Sequence, residues 1–250
     1  MKALILAAGR GTRIRSVHGE HPKCLIRLND DGDTILDQQI ENLFSAGMSD
    51  IGIVVGYEMK QILDHVRARH HKFQRRIQFF KNARFAETNN IYSLWLARDW
   101  VMDDSFVCLN ADVVFDHRVL IPALSSRPPI RMIVDPEWRD ETMKVVVRDE
   151  KIVRMSKGIP REEFSGTYLG ITAFSSAIHS RFFDKVETLI RSGRVNDFFN
   201  TAVQQLADEG VHVSPSPTWG LPWAEIDDPG DLQFAREHVF PKLRDVPLAA

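Results

Sequence analysis

From residue 2 to residue 110 short apolar runs alternate with longer stretches of helical spacing, and that alternation admits few folds. KALIL (2–6) reads as a strand buried on both faces and cut off by Gly9. TILDQQIENLFSAG (34–47) puts Ile35, Leu36, Ile40, Leu43 and Phe44 at helical spacing, with Asp33 or Thr34 to cap it and Gly47 to end it. IGIVVG (51–56) is a second buried strand, EMKQILDHVRARH (58–70) a helix, and IQFF (77–80) a strand. NNIYSLWLARDWV (89–101) is helical, and SFVCLN (105–110) is a strand. This succession predicts βαβ units: an α/β fold with a Rossmann-like, mostly parallel sheet and flanking helices. Right-handed crossovers then bring the loops after the strands to one edge, where open α/β sheets bind ligands.

After residue 130 the pattern changes to strands at 131–135, 144–149, 151–156 and 167–175, with Asp149-Glu150 as a tight turn. Helices are expected around 176–191 and 196–209, then a strand near 211–214 and a last helix from 230 to 240. No internal repeat, low-complexity tract or linker divides the chain, so one domain is expected over 1–250, with a mixed-sheet second half packed on the first.

The composition excludes several functions. A net charge of −2 argues against a dedicated nucleic-acid binder, which is normally basic. The most basic stretch, RARHHKFQRR (67–76), reads as a solvated helix end and loop. Cys24 and Cys108 are the two cysteines, too few for a disulfide framework or a zinc site of C-x-x-C type. Met1 leads straight into the first strand and no apolar run approaches 18 residues, so the expectation is a cytoplasmic protein with no membrane partner. His18 and His21 lack a nearby third partner for a metal. Nothing in the sequence signals an oligomeric state.

The chemistry concentrates in AAGRGTRIR (7–15), followed by Pro22 and Lys23. Glycine lets backbone N–H groups come close to a ligand, and arginine brings a permanent charge with a fork of donors that suits phosphate. Two phosphate loops fail here. Gly9 and Gly11 are too close for G-x-x-x-x-G-K-[ST], and position 14, where the dinucleotide fingerprint needs its third glycine, is isoleucine. Further on, Asp112 follows the strand SFVCLN, at the site edge and suited to hold Mg2+. In WAEIDDPGDL (223–232), Glu225 and Asp227 lie two apart and would share a face if the segment is a strand, while Asp228 before Pro229 suits an N-cap. Asp112, Glu225 and Asp227 form an oxygen-ligand set fit for a magnesium that bridges phosphates.

Leu6, Ala8, Gly9, Gly11, Arg13, Pro22 and Lys23 together form L-x-A-G-x-G-x-R followed by P-K, which resembles the signature loop of the nucleoside-triphosphate transferases of the sugar-nucleotide pyrophosphorylase fold. FAETNNIYSLWLA (85–97), NAD (110–112) and EIDDPGDL (225–232) are similar to the bacterial branch of choline-phosphate and 2-aminoethylphosphonate cytidylyltransferases. The resemblance runs over almost the whole chain and implies a CTP-dependent cytidylyltransferase without a β-helix domain. It implies a nucleotide-binding half at 1–130, and an acceptor-binding half at 131–250 that completes the metal site. Leu6, Ala7, Ala8, Gly9 and Gly11 would wrap the base and phosphates, and Arg13 and Lys23 would neutralise the triphosphate and the departing pyrophosphate. Asp112, Glu225 and Asp227 would hold Mg2+. Asn89 and Asn90 would sit near the nucleotide or hold the loop beside it, and Tyr57 would help enclose the cytosine.

In one place the sequence departs from the choline enzymes. A quaternary ammonium calls for aromatic rings, yet WRDETMKVVV (138–147) puts Met143 and Lys144 where the aromatic is expected. Lys144, with Lys157 as a second cation, is therefore expected to face the acid group of a small phosphonate or phosphomonoester acceptor. Trp138, Trp219 and Trp223 remain as material for an aromatic cage. The alternatives are a sugar-1-phosphate nucleotidyltransferase using UTP, dTTP or GTP and, more remotely, a non-catalytic nucleotide-binding module.

Overall fold

The first strand shows how the sheet is built. β1 (Lys2–Ala7) buries every residue after Lys2, as a strand covered on both faces must. Its side chains alternate between two apolar layers. Leu4 and Leu6 join Ile91 and Leu94 on one face, while Ala3, Ile5 and Ala7 join Leu36, Ile40 and Leu43 on the other. The computed structural model describes residues 1–102, 104–124 and 127–244.

β2 (Ile51–Val55) pairs with β1 in parallel, and β3 (Ile77–Lys81) pairs with β2 in parallel. β4 (Phe106–Asn110) then joins the other side of β1, also in parallel. The chain thus runs outward in one direction, then returns across β1 to start in the other. The gap between β1 and β4 is the switch point of the sheet, where the loops after the two strands diverge and leave a crevice.

The second half extends the same sheet. After β5 (Val113–Phe115) come β6 (Ile130–Asp135), β7 (Lys144–Arg148), β8 (Lys151–Ser156), β9 (Gly166–Phe174) and β10 (Val213–Pro217). β9 is antiparallel to both β4 and β6, which makes the sheet mixed and joins the halves, and β10 lies parallel to β6 at the edge. β7 pairs with β9 and forms a hairpin with β8, whose turn residues Asp149 and Glu150 both have positive φ, 48° and 61°. That backbone is the one a tight two-residue hairpin turn requires.

The structure moves several of the expected boundaries. The helix expected over 89–101 is broken at Ala97 into Asn90–Leu96 and Arg98–Val101. The one expected from 196 starts only at Asn200, leaving 195–199 as turns. β10 runs on through Pro215 and Pro217, which a strand at the sheet edge tolerates because one side needs no N–H donor. β5 pairs antiparallel with β11 (Trp223–Glu225) in a separate ribbon that periodicity did not indicate over so few residues. Ile14, Ile26, Val114, Ala224 and Ile226 pack under this ribbon with the C-terminal helices. Among the described residues no helix is long and apolar enough to cross a membrane.

One buried carboxylate ties the first two long helices together. Thr34 caps helix Ile35–Ser45, accepting from the Asp37 N–H at 3.1 Å while Asp37 accepts from the Thr34 N–H at 3.0 Å. From helix Met59–Arg69 and its end, His65 Nε2 and His70 Nε2 reach Asp37 Oδ1 at 2.9 and 2.6 Å. Burial alone would raise the Asp37 carboxyl, but the two histidines outweigh it and hold the group well below the usual carboxylate range. A depressed carboxylate stabilises the fold at pH values above that of the unfolded group, about 4, and the contribution is lost as pH falls below that. Asp37→Ala should therefore cost about 3–5 kcal/mol at neutral pH. In denaturant titrations the gap from wild type should narrow as the pH is lowered through about 4 toward 3. A gap that stays constant with pH would assign the loss to packing rather than charge.

Candidate active site

The loop after β1 is shaped around a lysine. Gly11 has φ 61°, in the left-handed region, and a Cβ there would stand 2.7 Å from Lys23 Cβ. No side chain fits in that space. Gly9 differs, because a Cβ there would meet nothing within 4 Å and would project into open space. His18, buried, braces the loop: its Nε2 lies 3.0 Å from the Gly11 carbonyl and its Nδ1 contacts the carbonyl of His21. That brace is the place the structure gives the histidine which sequence spacing left without a metal partner. Pro22 leads into a short turn, Lys23–Leu25, that aims Lys23 back across the crevice.

Lys23 Nζ stands between two aspartates, 2.9 Å from Asp112 Oδ2 and 2.7 Å from Asp227 Oδ1. Arg13 reaches the other oxygen of Asp227 at 2.8 Å. Burial alone would lower the Lys23 ammonium, but the two carboxylates outweigh it and raise it. Burial likewise pushes the Asp227 carboxyl up, and Lys23 with Arg13 brings it below its usual value.

The ribbon assembles the acidic group. Asp112 lies between β4 and β5, and Glu225 at the end of β11 is in register with Val113. The Ile226 N–H donates to the Asp112 carbonyl at 2.9 Å. Asp227 is beyond the strand rather than on it, held by its N–H donating to Asp231 Oδ2 at 2.8 Å, while Asp228 caps the following helix. The carboxylates of Asp112, Glu225 and Asp227 lie within 4.8 Å of one another. Burial, with Asp112 and Asp227 nearby, pushes the Glu225 carboxyl up to about 8. Asp112 Oδ1 is buried and has no hydrogen-bond partner among the described residues. An orphaned buried oxygen beside two further carboxylates is a donor set that fits a hard divalent cation.

These groups face one cleft of about 360 Å³ at the switch point. Of the residues expected from sequence, Leu6, Ala7, Ala8, Gly9, Gly11, Arg13, Lys23, Asn89, Asn90, Asp112, Lys157, Glu225 and Asp227 all line it. Tyr57 does not; its hydroxyl donates to Glu20 Oε2 at 2.7 Å on the outer side of the loop. Phe85 lines the cleft instead, packed close against Gly56 just after β2.

Lys144 also has a different place from the one expected. Its side chain is buried, with Nζ over the Trp138 ring at 4.6 Å and 3.2 and 3.5 Å from the carbonyls of Thr142 and Lys157. The pleat turns Met143 to the cleft and Lys144 away from it, so Lys144 is a tie between the two strands rather than an acceptor contact. Trp223 is buried under Arg139 and Trp219 is exposed, and with Trp138 on Lys144 no tryptophan lines the cleft.

Asn82, Thr88, Ser93, Asn110, Thr142, Tyr168, Gly170, Phe198 and Asn200 line the cleft without having been expected there. They come from turns, from the end of β4, from inside β9 and from helices Asn90–Leu96 and Asn200–Asp208, and no single periodic signal marks them. Gly170 is the most constrained: φ is 81° and a Cβ would stand 2.8 Å from Asn110 Nδ2.

The contrast between the loop glycines can be measured. Gly11→Ala should cost about 1–2 kcal/mol of left-handed strain, on top of the displacement of Lys23. That corresponds to a fall in Tm of about 2–8 °C for a chain of this size. Gly9→Ala should leave Tm unchanged. Equal Tm values for both variants would remove the contact between Gly11 and Lys23 as the reason for the glycine.

The model of the MobA-like NTP transferase domain matches residues 3–207. That span includes the glycine loop, Lys23 and Asp112, whereas Glu225 and Asp227 lie beyond it. The chain is 24% identical to the CTP:phosphoglutamine cytidylyltransferase of Campylobacter jejuni, over 95% of its own length and 100% of the relative. It is 30% identical to the 2-aminoethylphosphonate cytidylyltransferase of Lancefieldella rimae, over 92% of its own length and 89% of the relative. The solved inositol-1-phosphate CTP transferase from T. maritima superposes with a TM-score of 0.78 at 23% identity, covering 95% of this chain and 97% of that one. At that identity the superposition speaks for the fold. The chain is thus a nucleotidyltransferase, a member of the MobA-like NTP transferase family.

Proposed function

We propose that this protein transfers CMP from CTP to a small phosphonate or phosphomonoester and releases pyrophosphate. The carrying observation is the charge arrangement at the switch point. Arg13 and Lys23 face three carboxylates that lie within 4.8 Å of one another, beneath a loop whose Gly9 leaves room for a ligand. Two curated relatives matched over most of their length are named as enzymes that use cytidine nucleotides, which favours CTP.

The chemistry follows from the groups present. An anionic oxygen of the acceptor attacks the α-phosphorus of CTP, forming a P–O bond. The bond from that phosphorus to the bridging oxygen breaks, and pyrophosphate leaves with the electron pair. The acceptor is ionised near neutral pH, so the step needs no general base. The chain holds the reactants in line and stabilises the charge that grows on the leaving group. Asp112, Glu225 and Asp227 would hold Mg2+, which when bound neutralises phosphate charge and polarises the phosphorus centre. The Lys23 ammonium, 2.9 Å from Asp112 and 2.7 Å from Asp227, is the cation that would meet the departing pyrophosphate. Lys157 lines the cleft and has no ion-pair partner among the described residues, so it is the cation we assign to the acceptor anion.

A matrix of nucleoside triphosphates against phosphate and phosphonate acceptors, read by pyrophosphate release, tests the reaction. The highest turnover should come from CTP with a small phosphonate or phosphomonoester. A preference for UTP, dTTP or GTP with a sugar 1-phosphate would refute the proposal. Lys23→Ala should lower turnover roughly a hundredfold or more with an unchanged fold, the scale of a lost charge-stabilising group. An unchanged turnover would take Lys23 out of the mechanism.

The cation requirement should depend on pH in a defined direction. Glu225 is pushed up to about 8, so below that pH a proton occupies the oxygen that a cation needs. The Mg2+ concentration for half-maximal turnover should therefore rise as pH falls from about 8, by at most tenfold per pH unit for one competing proton. Glu225→Gln should flatten this dependence while lowering activity. Full activity in excess chelator would dismiss all three carboxylates as metal ligands.

A further inference from the structure

Asn90 links the two walls of the cleft. It begins helix Asn90–Leu96 in the first half of the chain, yet its Oδ1 accepts the Phe199 N–H from the second half at 2.9 Å. Its Nδ2 faces Asn110 Oδ1 at 3.5 Å, a longer contact, and Asn110 is the last residue of β4, two before Asp112. The preceding residue strengthens the link. The Asn89 N–H donates to the Val195 carbonyl at 2.9 Å, and Asn89 Oδ1 accepts the Asn90 N–H at 2.7 Å. The Asn90 amide is thus spent at both ends, on backbone and on a neighbour.

The segment they hold has no regular structure of its own. Residues 195–199 are turns between helix His179–Arg191 and helix Asn200–Asp208, so their position depends on such outside contacts. Two residues of that segment and its helix line the cleft. Phe198 is an apolar ring left 42% exposed, and Asn200 is 6% exposed with no side-chain hydrogen bond among the described residues. They come from the opposite half to the Arg13–Lys23 loop. Lys157, the cation assigned above to the acceptor anion, lines the cleft from the same half of the chain. In-line displacement puts the incoming acceptor opposite the departing pyrophosphate, so on that assignment this wall is on the acceptor side.

From this geometry we infer that Asn90 is a positioning residue for the acceptor: it sets the Phe198–Asn200 wall against the Asp112 turn and does not itself read the nucleotide. The inference rests on the cleft binding a nucleotide and an acceptor, as proposed above. The loss of Asn90 then acts on acceptor binding through Phe198.

The test uses the full-length protein with CTP and a panel of 2-aminoethylphosphonate, 2-hydroxyethylphosphonate, ethanolamine phosphate and choline phosphate. KM for the best acceptor comes from pyrophosphate release, and the CTP dissociation constant comes from calorimetry. Asn90→Ala should raise acceptor KM roughly three- to thirtyfold, the range for one or two lost hydrogen bonds, with CTP affinity within about twofold, inside the scatter expected of such energies. Asn90→Asp keeps an acceptor for the Phe199 N–H and should give back part of the effect, and it serves as the working variant if Asn90→Ala fails to fold. In a Phe198→Ala background, Asn90→Ala should add little to acceptor KM, because coupled residues are not additive.

A weakened CTP affinity with acceptor KM unchanged would overturn the inference and make Asn90 a nucleotide contact. Equal losses in both, or full additivity with Phe198→Ala, would overturn it in favour of a general structural role. If the wild type released no pyrophosphate from CTP with any acceptor in the panel, the proposed reaction would fail and this inference with it. An active wild type with an indifferent Asn90→Ala would reject only the inference.

Discussion

The placement of one ammonium group between two carboxylates organises the site. Three acidic side chains within 4.8 Å of one another repel, and burying them raises the cost. Lys23 and Arg13 supply two positive charges to Asp112 and Asp227, and Glu225 keeps its proton at neutral pH because its carboxyl is pushed up to about 8. The cluster is therefore close to neutral as it stands. The features around it read as supports for this arrangement: Gly11 leaves the space for Lys23, His18 braces Gly11, and the β5–β11 ribbon brings Glu225 beside Asp112.

The sheet explains why residues two hundred positions apart can meet so closely. Parallel strands β1 and β4 end at the same edge, and the chain reverses direction between them, so the loops carrying Gly11 and Asp112 open on one crevice. The antiparallel pairing of β9 with β4 then brings the second half of the chain alongside, and Gly170 comes up against Asn110 while Tyr168 lines the same cleft. The second half thus lines its side of the cleft with residues of β9, of turns and of the start of helix Asn200–Asp208, and hydrogen bonds from Asn89 and Asn90 hold the turn at 195–199. A rigid sheet with function on its loops can change its acceptor without changing its strands.

Much of this was legible before the structure. β1, β2 and β4 are continuous apolar runs, because strands covered on both faces have no polar side to show, and helix Ile35–Ser45 announces itself by spacing and by the Thr34–Asp37 cap. The loop residues, Lys23 and the three carboxylates were legible for another reason. Charged residues and glycines next to buried strands are unusual enough to need an explanation. The resemblance to nucleotidyltransferases added the family, which the match over residues 3–207 then established.

Side-chain direction and long-range contacts were not legible, for physical reasons. Met143 and Lys144 are adjacent, and which of them faces the cleft is set by how β7 registers on β9, a pairing that the local sequence does not encode. Tyr57 follows β2 as a base-binding aromatic could, but its hydroxyl is drawn outward by Glu20, while Phe85 is pressed toward the loop by its contact with Gly56. The short β5–β11 ribbon has too few residues to show a period, and it exists because its two strands pair with each other across more than a hundred residues. Local pattern determined the strands, the helices and the type of chemistry. Tertiary packing decided which neighbouring side chain reaches the cleft, because a pleat turns adjacent residues to opposite faces and only the partner strand fixes which face is which.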